Sequence, residues 1–564
     1  MRNIIIVECI STGINFIEDI IYRGYNPVVL HLKVPDTEEG KHYENFVYGH
    51  YDRIDYDFDM IYEKDTYEKT LEEVKKYDPL LILPGNEKGV ILATKLSNDL
   101  NLLCNSIENL DAMTLKSEMH KRLAENGLRS IKGKVVYSLD EALEFYDGEG
   151  LKEVVIKPIY SAGAAAVRIC MDRDELISAY EVSSGGVNYF GEKVDKVLIQ
   201  ERINGVEYIV NTVSHKGIPR VTLVWKYNKI TDSNGAVICD SSETVNELSF
   251  GEAEMVEYAY KVAKAIGIEY GPVHGEYMID EKGPVLIEVN CRPCGANMGI
   301  EFLDRISGQH ETDSILDAYL KPERFYEQLK KRYQLYAHGI VKLFIAPEDI
   351  FASSVPFINL GYNLKSYHST SLTNTEFDEM HFKKTEDLET AAGYTYLVNE
   401  KKSQIYDDLE FLRGMEKNAF SLILSNDSFV ADLKDDETYI NEIKPLIEKG
   451  TRYGTGLLVT DQFVDNIDTF QINNDKIHEL NGNFDFIIVN LNKSLVGETE
   501  ANKAKMILDI FSKIKVGGVI LIPKNTYQFL ISGRSGMEAL IKVLGYKVEL
   551  PPYDVEEVII ASKR

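Results

Sequence analysis

The stretch VHGEYMIDEKGPVLIEVNCRP (273–293) decides the fold of the middle of this chain. Two apolar segments flank the turn sequence DEKGP, and this pattern predicts a β-hairpin. If Ile279 faces Val285 across the turn, the register places Glu276 directly opposite Glu288 on one face. Opposed carboxylates repel each other unless a cation lies between them. The hairpin is therefore either a magnesium site built from hard oxygen ligands or a solvated face that tolerates the charge, and this segment alone favours neither.

Three single residues leave more than one role open. The same register places His274 opposite Asn290, where it either orients a substrate or completes the polar face, without acting as a general base. Trp225, the only tryptophan, either packs in the core or lines a substrate cavity. Glu87 in GNEKGV either approaches the substrate or has a structural role, and the structural role is favoured.

The stretch VVIKPIYSAGAAAV (154–167) combines a lysine with a loop of small residues. Lys157 ends an apolar strand, Pro158 stops that strand, and SAGAAA follows. Small residues let backbone N–H groups approach phosphate oxygens closely, and a lysine adds positive charge. Taken alone the pattern is weak, because a lysine at the end of a strand is usually just solvated.

A third segment, VLIQERINGVEYIV (197–210), predicts a strand, a short extended linker and a second strand that begins near Glu207. Unpaired backbone groups in such a linker can bind the edge of an adenine, and a nearby carboxylate can accept hydrogen bonds from ribose hydroxyls. An ordinary loop between strands with exposed acids is the favoured interpretation of this segment by itself.

The order of these three segments resembles the ATP-grasp superfamily, specifically the carboxylate–amine ligases close to the L-amino acid (dipeptide) ligases. The resemblance covers about residues 1–418. It extends to LILPGNEKGVILATKLSNDLNLLCN (81–105), TLKSEMHKRLAENGL (114–128), VTLVWKYNK (221–229) and KKTEDLETAAGYTYLVNE (383–400). Several matches in the right order are far more specific than any one of them.

The resemblance implies a set of site residues, each taken from a matching position of this sequence. The implied nucleotide contacts are Lys116 and Lys157 for the ATP phosphates or adenine N7, Gln200, Glu201, Arg202 and Ile203 for the adenine, Glu207 for the ribose, and Ser161, Ala162 and Gly163 for the start of the phosphate-covering loop. The implied metal ligands are Glu276, Glu288 and Asn290. Arg292 is implied as the catalytic arginine that holds the transferring phosphoryl group and the tetrahedral intermediate.

The function that the resemblance implies is an ADP-forming ligation of a carboxylate, such as an amino acid, to an amine through an acyl phosphate, giving an amide or dipeptide. It implies ATP and Mg²⁺ or Mn²⁺ as cofactors and small-molecule carboxylate and amine partners, with neither nucleic acid nor membrane, and it allows a homodimer. Three departures from relatives, the SAGAAAV loop, Asn211 and the NCRPCG segment, could alter loop closure or the handling of amine and metal.

Composition excludes several other classes of protein. The formal net charge of the 564 residues is −28, so the mean field repels nucleic acid and anionic membranes. No run of about 18 apolar residues predicts a membrane span, and the first residues lack a signal peptide's pattern. Six cysteines are too few for a disulfide framework, which favours a cytoplasmic protein. Cys291 and Cys294 are better explained by packing than by a zinc or redox site.

The alternation of elements predicts a multidomain protein of the α/β and α+β classes. Residues 1–113 are predicted as a parallel α/β domain, because buried strands alternate with helices. Residues 114–419 are the expected ATP-grasp domain with a mobile small lobe at about 130–204. Residues 420–564 look like the second half of a Rossmann-like methyltransferase whose glycine-rich loop, with RYGTGLLVTD (452–461) as its only candidate, is unconvincing.

Two alternative functions stay open at this point. A degenerate structural or substrate-covering role is favoured for the C-terminal region, and an active methyl-donor site would instead make the protein a bifunctional ligase–methyltransferase. The other alternative is a nucleotide-binding module without ligase activity. Binding of S-adenosylmethionine tests the first, and amine-dependent ADP release tests the second.

Overall fold

The computed structural model falls into two compact units. The first consists of residues 1–231, 237–341 and 398–401, and the second of residues 232–236, 342–397 and 402–564. The structure describes residues 2–51, 54–159, 167–185, 194, 196–231, 237–295, 298–346, 350–352, 364–372, 380–382, 384–385, 390–425, 456–460, 470–472, 484–490, 509–510, 512–522, 546–549 and 559–563.

The chain begins with a parallel four-stranded sheet, as the alternation of apolar strands and helices predicts. Its strands lie in the order β3-β2-β1-β4 and are β1 (Asn3–Val7), β2 (Asn26–His31), β3 (Asp59–Tyr62) and β4 (Pro79–Pro84). The connecting helices are α1 (Asn15–Tyr22), α2 (Glu38–Tyr51), α3 (Tyr67–Lys75) and α4 (Gly89–Asp99). Buried aliphatic residues fill both faces of the sheet, which is typical of parallel sheets covered by helices.

Two short helices, α5 (Leu110–Thr114) and α6 (Lys116–Glu125), lead into a small antiparallel sheet. Its order is β5-β8-β6-β7, with β5 (Gly133–Val136), β6 (Val154–Pro158), β7 (Arg168–Cys170) and β8 (Val197–Glu201). Helices α7 (Leu139–Gly148) and α8 (Arg173–Ser183) supply the other half of this lobe's apolar core. Lys157 lies near the end of β6 and Gln200 near the end of β8 in this sheet.

The large sheet of the first unit carries the central hairpin. Its strands lie in the order β13-β12-β9-β10-β11-β14 and are β9 (Val206–His215), β10 (Ile218–Thr231), β11 (Val237–Thr244), β12 (Tyr270–Asp280), β13 (Gly283–Asn290) and β14 (His338–Phe344). The helices that follow or separate them are α9 (Phe250–Ala265), α10 (Ile300–Ser307), α11 (Glu311–Leu320) and α12 (Pro322–Leu329). The side chains of Ser249 and Glu252 form a capping box that fixes the start of α9.

Around the hairpin, α9 covers an apolar face of this sheet. Val210, Tyr277 and Val289 belong to the same buried cluster as Met255 and Val262 of α9. Each of these strand residues alternates with a polar neighbour that projects from the other face. The polar face is therefore left available for ligands.

The second unit contains short strands and one long helix, β15 (Ile350–Ala352), β16 (Tyr367–Leu372), β17 (Met380–Phe382), β18 (Gly393–Asn399) and α13 (Lys402–Ser425). It continues with a six-stranded sheet in the order β20-β19-β21-β22-β24-β23, made of β19 (Gly456–Thr460), β20 (Phe470–Ile472), β21 (Phe484–Asn490), β22 (Ile514–Ile522), β23 (Tyr546–Glu549) and β24 (Ile559–Lys563). Strands β19 to β22 pair in parallel, whereas β24 is antiparallel to both of its neighbours.

Three further expectations concern single features. Trp225 is 1% exposed and stacks on Phe302 at 6.4 Å between ring centroids, so it packs in the core. All six cysteines are free thiols, and Cys291 and Cys294 are buried. Among the helices that the structure describes, none combines the length and apolar character needed to span a bilayer.

The loops that follow β1 and β4 contact each other backbone to backbone at the carboxyl edge of the parallel sheet. A Cβ atom on Gly85 would lie 2.5 Å from the carbonyl oxygen of Glu8 and 2.8 Å from the Cα of Cys9. Only glycine fits at such an approach. The contact fixes the start of the GNEKG loop, from which Glu87 projects.

We expect Gly85→Ala to lower the midpoint of thermal unfolding of the first unit, because overpacking of this kind costs about 1–3 kcal/mol. Gly49→Ala is the control, since a Cβ there meets nothing within 4 Å. Alanine in the interior of α2 should raise stability by about 0.5–1 kcal/mol. Equal midpoints for the two variants would contradict the close approach of the two loops.

Candidate functional site

The central hairpin brings Glu276 and Glu288 opposite each other, as predicted, but by a different route. Glu276 pairs with Glu288 and His274 with Asn290. The assumed anchor was wrong, because Ile279 pairs with Pro284 and not with Val285.

An irregularity of the ladder reconciles these two facts. The register shifts by one residue between Glu276 and Tyr277, so Ile287 is an extra residue in β13. Without this bulge Glu276 would face an isoleucine. Bulges commonly redirect side chains next to functional sites.

The two acids differ strongly in charge state because of their neighbours. Lys116 at the start of α6 places its Nζ 2.8 Å from Glu288 Oε2. Burial would raise the pKa of Glu288, but Lys116 and Lys157 outweigh it and lower the pKa. Burial and the adjacent Glu288 instead raise the pKa of Glu276. The pair therefore holds a negative charge on Glu288 while Glu276 keeps a proton more easily.

Lys157 faces this pair from the small sheet. Its side chain is 7% exposed, and no described carboxylate forms an ion pair with it. Burial is the main reason that its pKa falls to about 8, and the positive charge of Lys116 adds to the effect, while Glu288 opposes it. An anion placed between the two lysines would stabilise both ammonium groups.

Arg292 follows β13 and lies between two buried glutamates. Its Nε is 3.6 Å from Glu87 Oε2, and that oxygen accepts no hydrogen bond among the described residues. Glu311, at the start of α11, accepts a hydrogen bond from the backbone N–H of Cys294 at 2.9 Å. Burial raises the pKa of Glu87 and of Glu311 to about 7, against the opposing attraction of Arg292.

His274 is held in a neutral, oriented state on the same face. Its Nδ1 lies 2.8 Å from Asn211 Oδ1, and its Nε2 lies 3.7 Å from Glu276 Oε1. Burial, together with Arg292, lowers its pKa to about 3. The network assigns the ring proton to Nδ1, so Nε2 directs a lone pair toward the carboxylates. Asn211 thus orients the imidazole.

The linker predicted to bind adenine is tied to the small sheet. Glu201 Oε1 accepts a hydrogen bond from the backbone N–H of Lys132 at 2.9 Å. Arg202 donates to Glu153 at 3.2 Å, so its guanidinium supports the linker. Gln200 is 2% exposed, and its Nε2 finds no acceptor among the described residues. Ile203 is half-buried in the same linker.

Glu207, the predicted ribose contact, lies at the start of β9. Its carboxylate forms an ion pair with Lys229 of the neighbouring strand β10. Burial raises its pKa, while Lys229 opposes the rise. Ser161, Ala162 and Gly163 of the predicted phosphate-covering loop lie outside the described residues.

The donor set fits a hard cation that also binds an anionic ligand. Asn290 donates to Glu288 Oε1 at 3.3 Å, which leaves its amide oxygen beside the acids. Within the described part of the chain, no group of three or more His, Cys, Asp or Glu side chains forms a complete metal cage. Mg²⁺ is commonly bound by one or two carboxylates and completed by phosphate oxygens and water.

Sequence reasoning underrated two members of this cluster. Glu87 follows a buried parallel strand in a glycine-bounded loop, and such carboxyl-edge loops commonly carry ligand-binding residues. This position in the sequence is the feature that favours a functional role for Glu87. Glu311 begins a helix with no motif around it, so only the fold brings it near Arg292.

Part of the sequence matches a known domain family, and the chain is similar to several known proteins. Residues 151–300 match the ATP-grasp domain family. Dapdiamide A synthase from Enterobacter agglomerans is 29% identical over 308 residues, which cover 52% of this chain and 72% of that protein. The carbamoyl phosphate synthase large chain of Clostridium acetobutylicum is 24% identical over 312 residues, and the matched part spans only 28% of its length.

Solved structures agree with the fold. The L-amino acid ligase from Bacillus licheniformis aligns with a TM-score of 0.56 at 14% identity, covering 73% of this chain and 97% of the ligase. N5-carboxyaminoimidazole synthase from Aspergillus clavatus aligns with a TM-score of 0.52 at 12% identity, covering 74% and 99% of the two chains. These comparisons place an ATP-grasp domain in residues 151–300 of this chain, which is similar in sequence to dapdiamide A synthase and in fold to an L-amino acid ligase.

Proposed function

We propose that the enzyme uses ATP and Mg²⁺ to join a carboxylate, such as that of an amino acid, to an amine with release of ADP. The observation that carries the proposal is the convergence of Glu276 and Glu288 beside Lys116, Lys157 and Arg292. When bound, MgATP supplies a phosphoryl group that activates the carboxylate for attack by the amine. Side chains of the protein would bind the cation, hold the phosphate chain and stabilise the charge that develops during the reaction.

The hairpin carboxylates would hold the cation. Two acids at one rung of a ladder repel each other, and a divalent ion between them turns that repulsion into attraction. Asn290 would add a neutral oxygen. Binding the ion requires Glu276 to give up its proton and Glu288 to share its charge with Lys116.

Lys116 and Lys157 would hold the phosphate chain from two directions. Lys116 belongs to α6, whereas Lys157 belongs to the small sheet. An anion between them lowers their mutual repulsion and offsets the desolvation of Lys157. Gln200, Glu201 and Ile203 would contact the adenine, and Glu207 would bind the ribose after exchange with Lys229.

Arg292 would bind the oxygens that gain negative charge when the acyl phosphate forms and when the amine attacks it. Glu87 is proposed as its positioning residue, because Oε2 of the buried carboxylate lies 3.6 Å from Arg292 Nε and accepts no hydrogen bond among the described residues. Water must be excluded, since hydrolysis would destroy the acyl phosphate. The small lobe, about residues 130–204, is proposed to cover the site.

The proposed product is an amide or a dipeptide. Support comes from two relatives whose names describe amino-acid chemistry, dapdiamide A synthase and an L-amino acid ligase. On the protein's own side, the cluster offers a cation, Arg292, for a carboxylate and a buried acid, Glu311, for an ammonium group. Such a combination suits zwitterionic substrates.

For the C-terminal region we propose a Rossmann-like domain over residues 420–564, after an ATP-grasp domain over 114–419 and an α/β domain over 1–113. Four parallel strands, β19 to β22, followed by the antiparallel pair of β23 and β24 support it. Of the candidate glycine-rich segment 452–461, residues 456–460 form β19, and residues 452–455 and 461 lie outside the described residues. A structural or substrate-covering role is favoured over methyl transfer.

Replacement of Glu288 tests the cation site. Glu288→Ala should reduce amine-dependent ADP release by at least about 1,000-fold, because the ion would lose its charged ligand. Glu281→Ala, at the exposed tip of the same hairpin, should keep full activity. The assay is ADP release across a panel of carboxylate and amine pairs. Unchanged turnover in Glu288→Ala would remove the metal assignment.

If Glu87 positions Arg292, its replacement should change kcat but not the affinity for ATP. Glu87→Gln keeps the shape of the side chain but removes the charge that orients Arg292. We expect kcat to fall by about 10- to 100-fold with the affinity for ATP unchanged, since the residue acts on the transferring group. A variant with normal kcat and weaker ATP binding would show that Glu87 belongs to the nucleotide site instead.

Lys157 predicts a proton uptake on binding of ATP. With a pKa of about 8, Lys157 is about half protonated at pH 8 in the free enzyme, and the triphosphate should complete its protonation. Calorimetry in buffers of different ionisation enthalpy should therefore measure an uptake of about half a proton relative to Lys157→Arg. Arginine stays charged at this pH and serves as the matched control. The difference should vanish at pH 6.5, and equal uptake by both proteins at pH 8 would refute the assignment.

A further inference from the structure

A cavity of about 850 Å³ lies in the first unit, away from the residues assigned above. It is bounded by residues 220–222 of β10, by α9, by Ser307 at the end of α10 and by residues 328–336. A volume of this size is within the range of small-molecule sites. No function assigned so far uses it.

The cavity lies where β10 extends beyond the end of the neighbouring strand β11. The pairing of β10 with β11 starts at Trp225, opposite Thr244, so residues 218–224 of β10 have no strand on that side. Two tyrosine hydroxyls replace the missing strand. Tyr260 accepts a hydrogen bond from the N–H of Val221, and Tyr333 accepts one from the N–H of Val224, both at 3.1 Å. The two tyrosine side chains thus satisfy the backbone of β10 where no neighbouring strand pairs with it.

The charged groups around the cavity are mainly basic. Arg220, Lys331 and Arg332 line it, and Glu257 is the one acidic side chain among its lining residues. Lys331 and Arg332 are exposed at its rim. In a chain with a net charge of −28, a basic cavity is a local exception to the mean field.

Arg220 lies deepest among the three cations. It donates to Gln309 Oε1 at 3.1 Å and to Ser314 Oγ at 3.4 Å, both neutral acceptors. Its Nε is buried and finds no acceptor among the described residues. Asp317 attracts it from a distance, but burial dominates and lowers its pKa. An anion beside this guanidinium would offset the cost of its burial.

The cavity opens on the helix-covered side of the sheet. Val221 and Val256, which line it, belong to the buried cluster beneath α9 together with Tyr277 and Val289. Glu276 and Glu288 alternate with these last two residues and face the other side. Arg220 alternates with Val221, so its guanidinium reaches the cavity past the edge of β10 and not from the α9 face.

We propose that this cavity binds a small effector with an aromatic or apolar body and a carboxylate or phosphate group. The anionic group would contact Arg220, Lys331 and Arg332, while the body would pack on Tyr260 and Tyr333. The site could communicate with the active site through a short path. Arg220 contacts Gln309, two residues before Glu311, whose carboxylate holds the N–H of Cys294 beside Arg292.

The test is a fluorescence titration of the full chain with 8-anilinonaphthalene-1-sulfonate, an anionic aromatic probe, in saturating Mg²⁺ and ADP. We expect one saturable site. Lys331→Glu/Arg332→Glu should weaken binding by about tenfold, because two rim cations that attract the sulfonate are replaced by anions. Lys75→Glu/Lys76→Glu, an exposed pair at the C-terminal end of α3 with the same change in charge, should bind the probe normally.

A second variant separates the cavity from simple surface attraction. Ala253 lines the cavity on the first turn of α9, and Ala253→Trp should abolish probe binding while leaving every charge in place. Benzoate and phenyl phosphate should displace the probe, and their relative strength identifies the preferred anion, whereas benzyl alcohol should not displace it. Equal weakening by both charge-reversed pairs, normal binding to Ala253→Trp, or displacement by benzyl alcohol would each overturn the proposal.

Discussion

Repulsion between the carboxylates of Glu276 and Glu288 is the constraint on which the rest of the site depends. Two acids on one rung of a sheet, both largely removed from water, destabilise the fold unless positive charge lies nearby. Lys116 partly meets this need through its ion pair with Glu288. Glu276 reduces the repulsion by keeping its proton more readily, because burial and Glu288 raise its pKa. The free enzyme is therefore neutralised only in part, and the divalent cation that we propose would complete the arrangement.

The backbone enforces this unfavourable juxtaposition through the bulge at Ile287. Tyr277 and Val289, on the opposite face, are buried beneath α9, so the strands cannot rotate to separate the acids without exposing apolar surface. Packing of the apolar face of the hairpin beneath α9 thus fixes the positions of the two carboxylates on its other face. The same reasoning applies to the loops after β1 and β4, whose close contact at Gly85 sets the direction of Glu87.

Local patterns predicted much of this arrangement. The alternation of apolar strands and helices correctly predicted the parallel N-terminal sheet, and the period of two placed Glu276 and Glu288 opposite each other. The predicted anchor failed because a bulge leaves no clear mark in the sequence. Positions such as Glu311 could not be predicted, since long-range packing alone brings them to Arg292. The open alternatives for Trp225 were likewise decided by burial, which depends on the whole core.

The acidic composition of the chain raises the question of how it would hold a triphosphate at all. The answer lies in burial, because an ammonium group removed from water interacts with an anion through a low dielectric and escapes screening. Lys157 is a clear case, since desolvation lowers its pKa in the absence of a ligand. Its cost to folding is recovered when phosphate oxygens replace the lost water. Because Lys157 belongs to the small sheet and Glu288 to the large one, a nucleotide with its cation would also link these two sheets electrostatically.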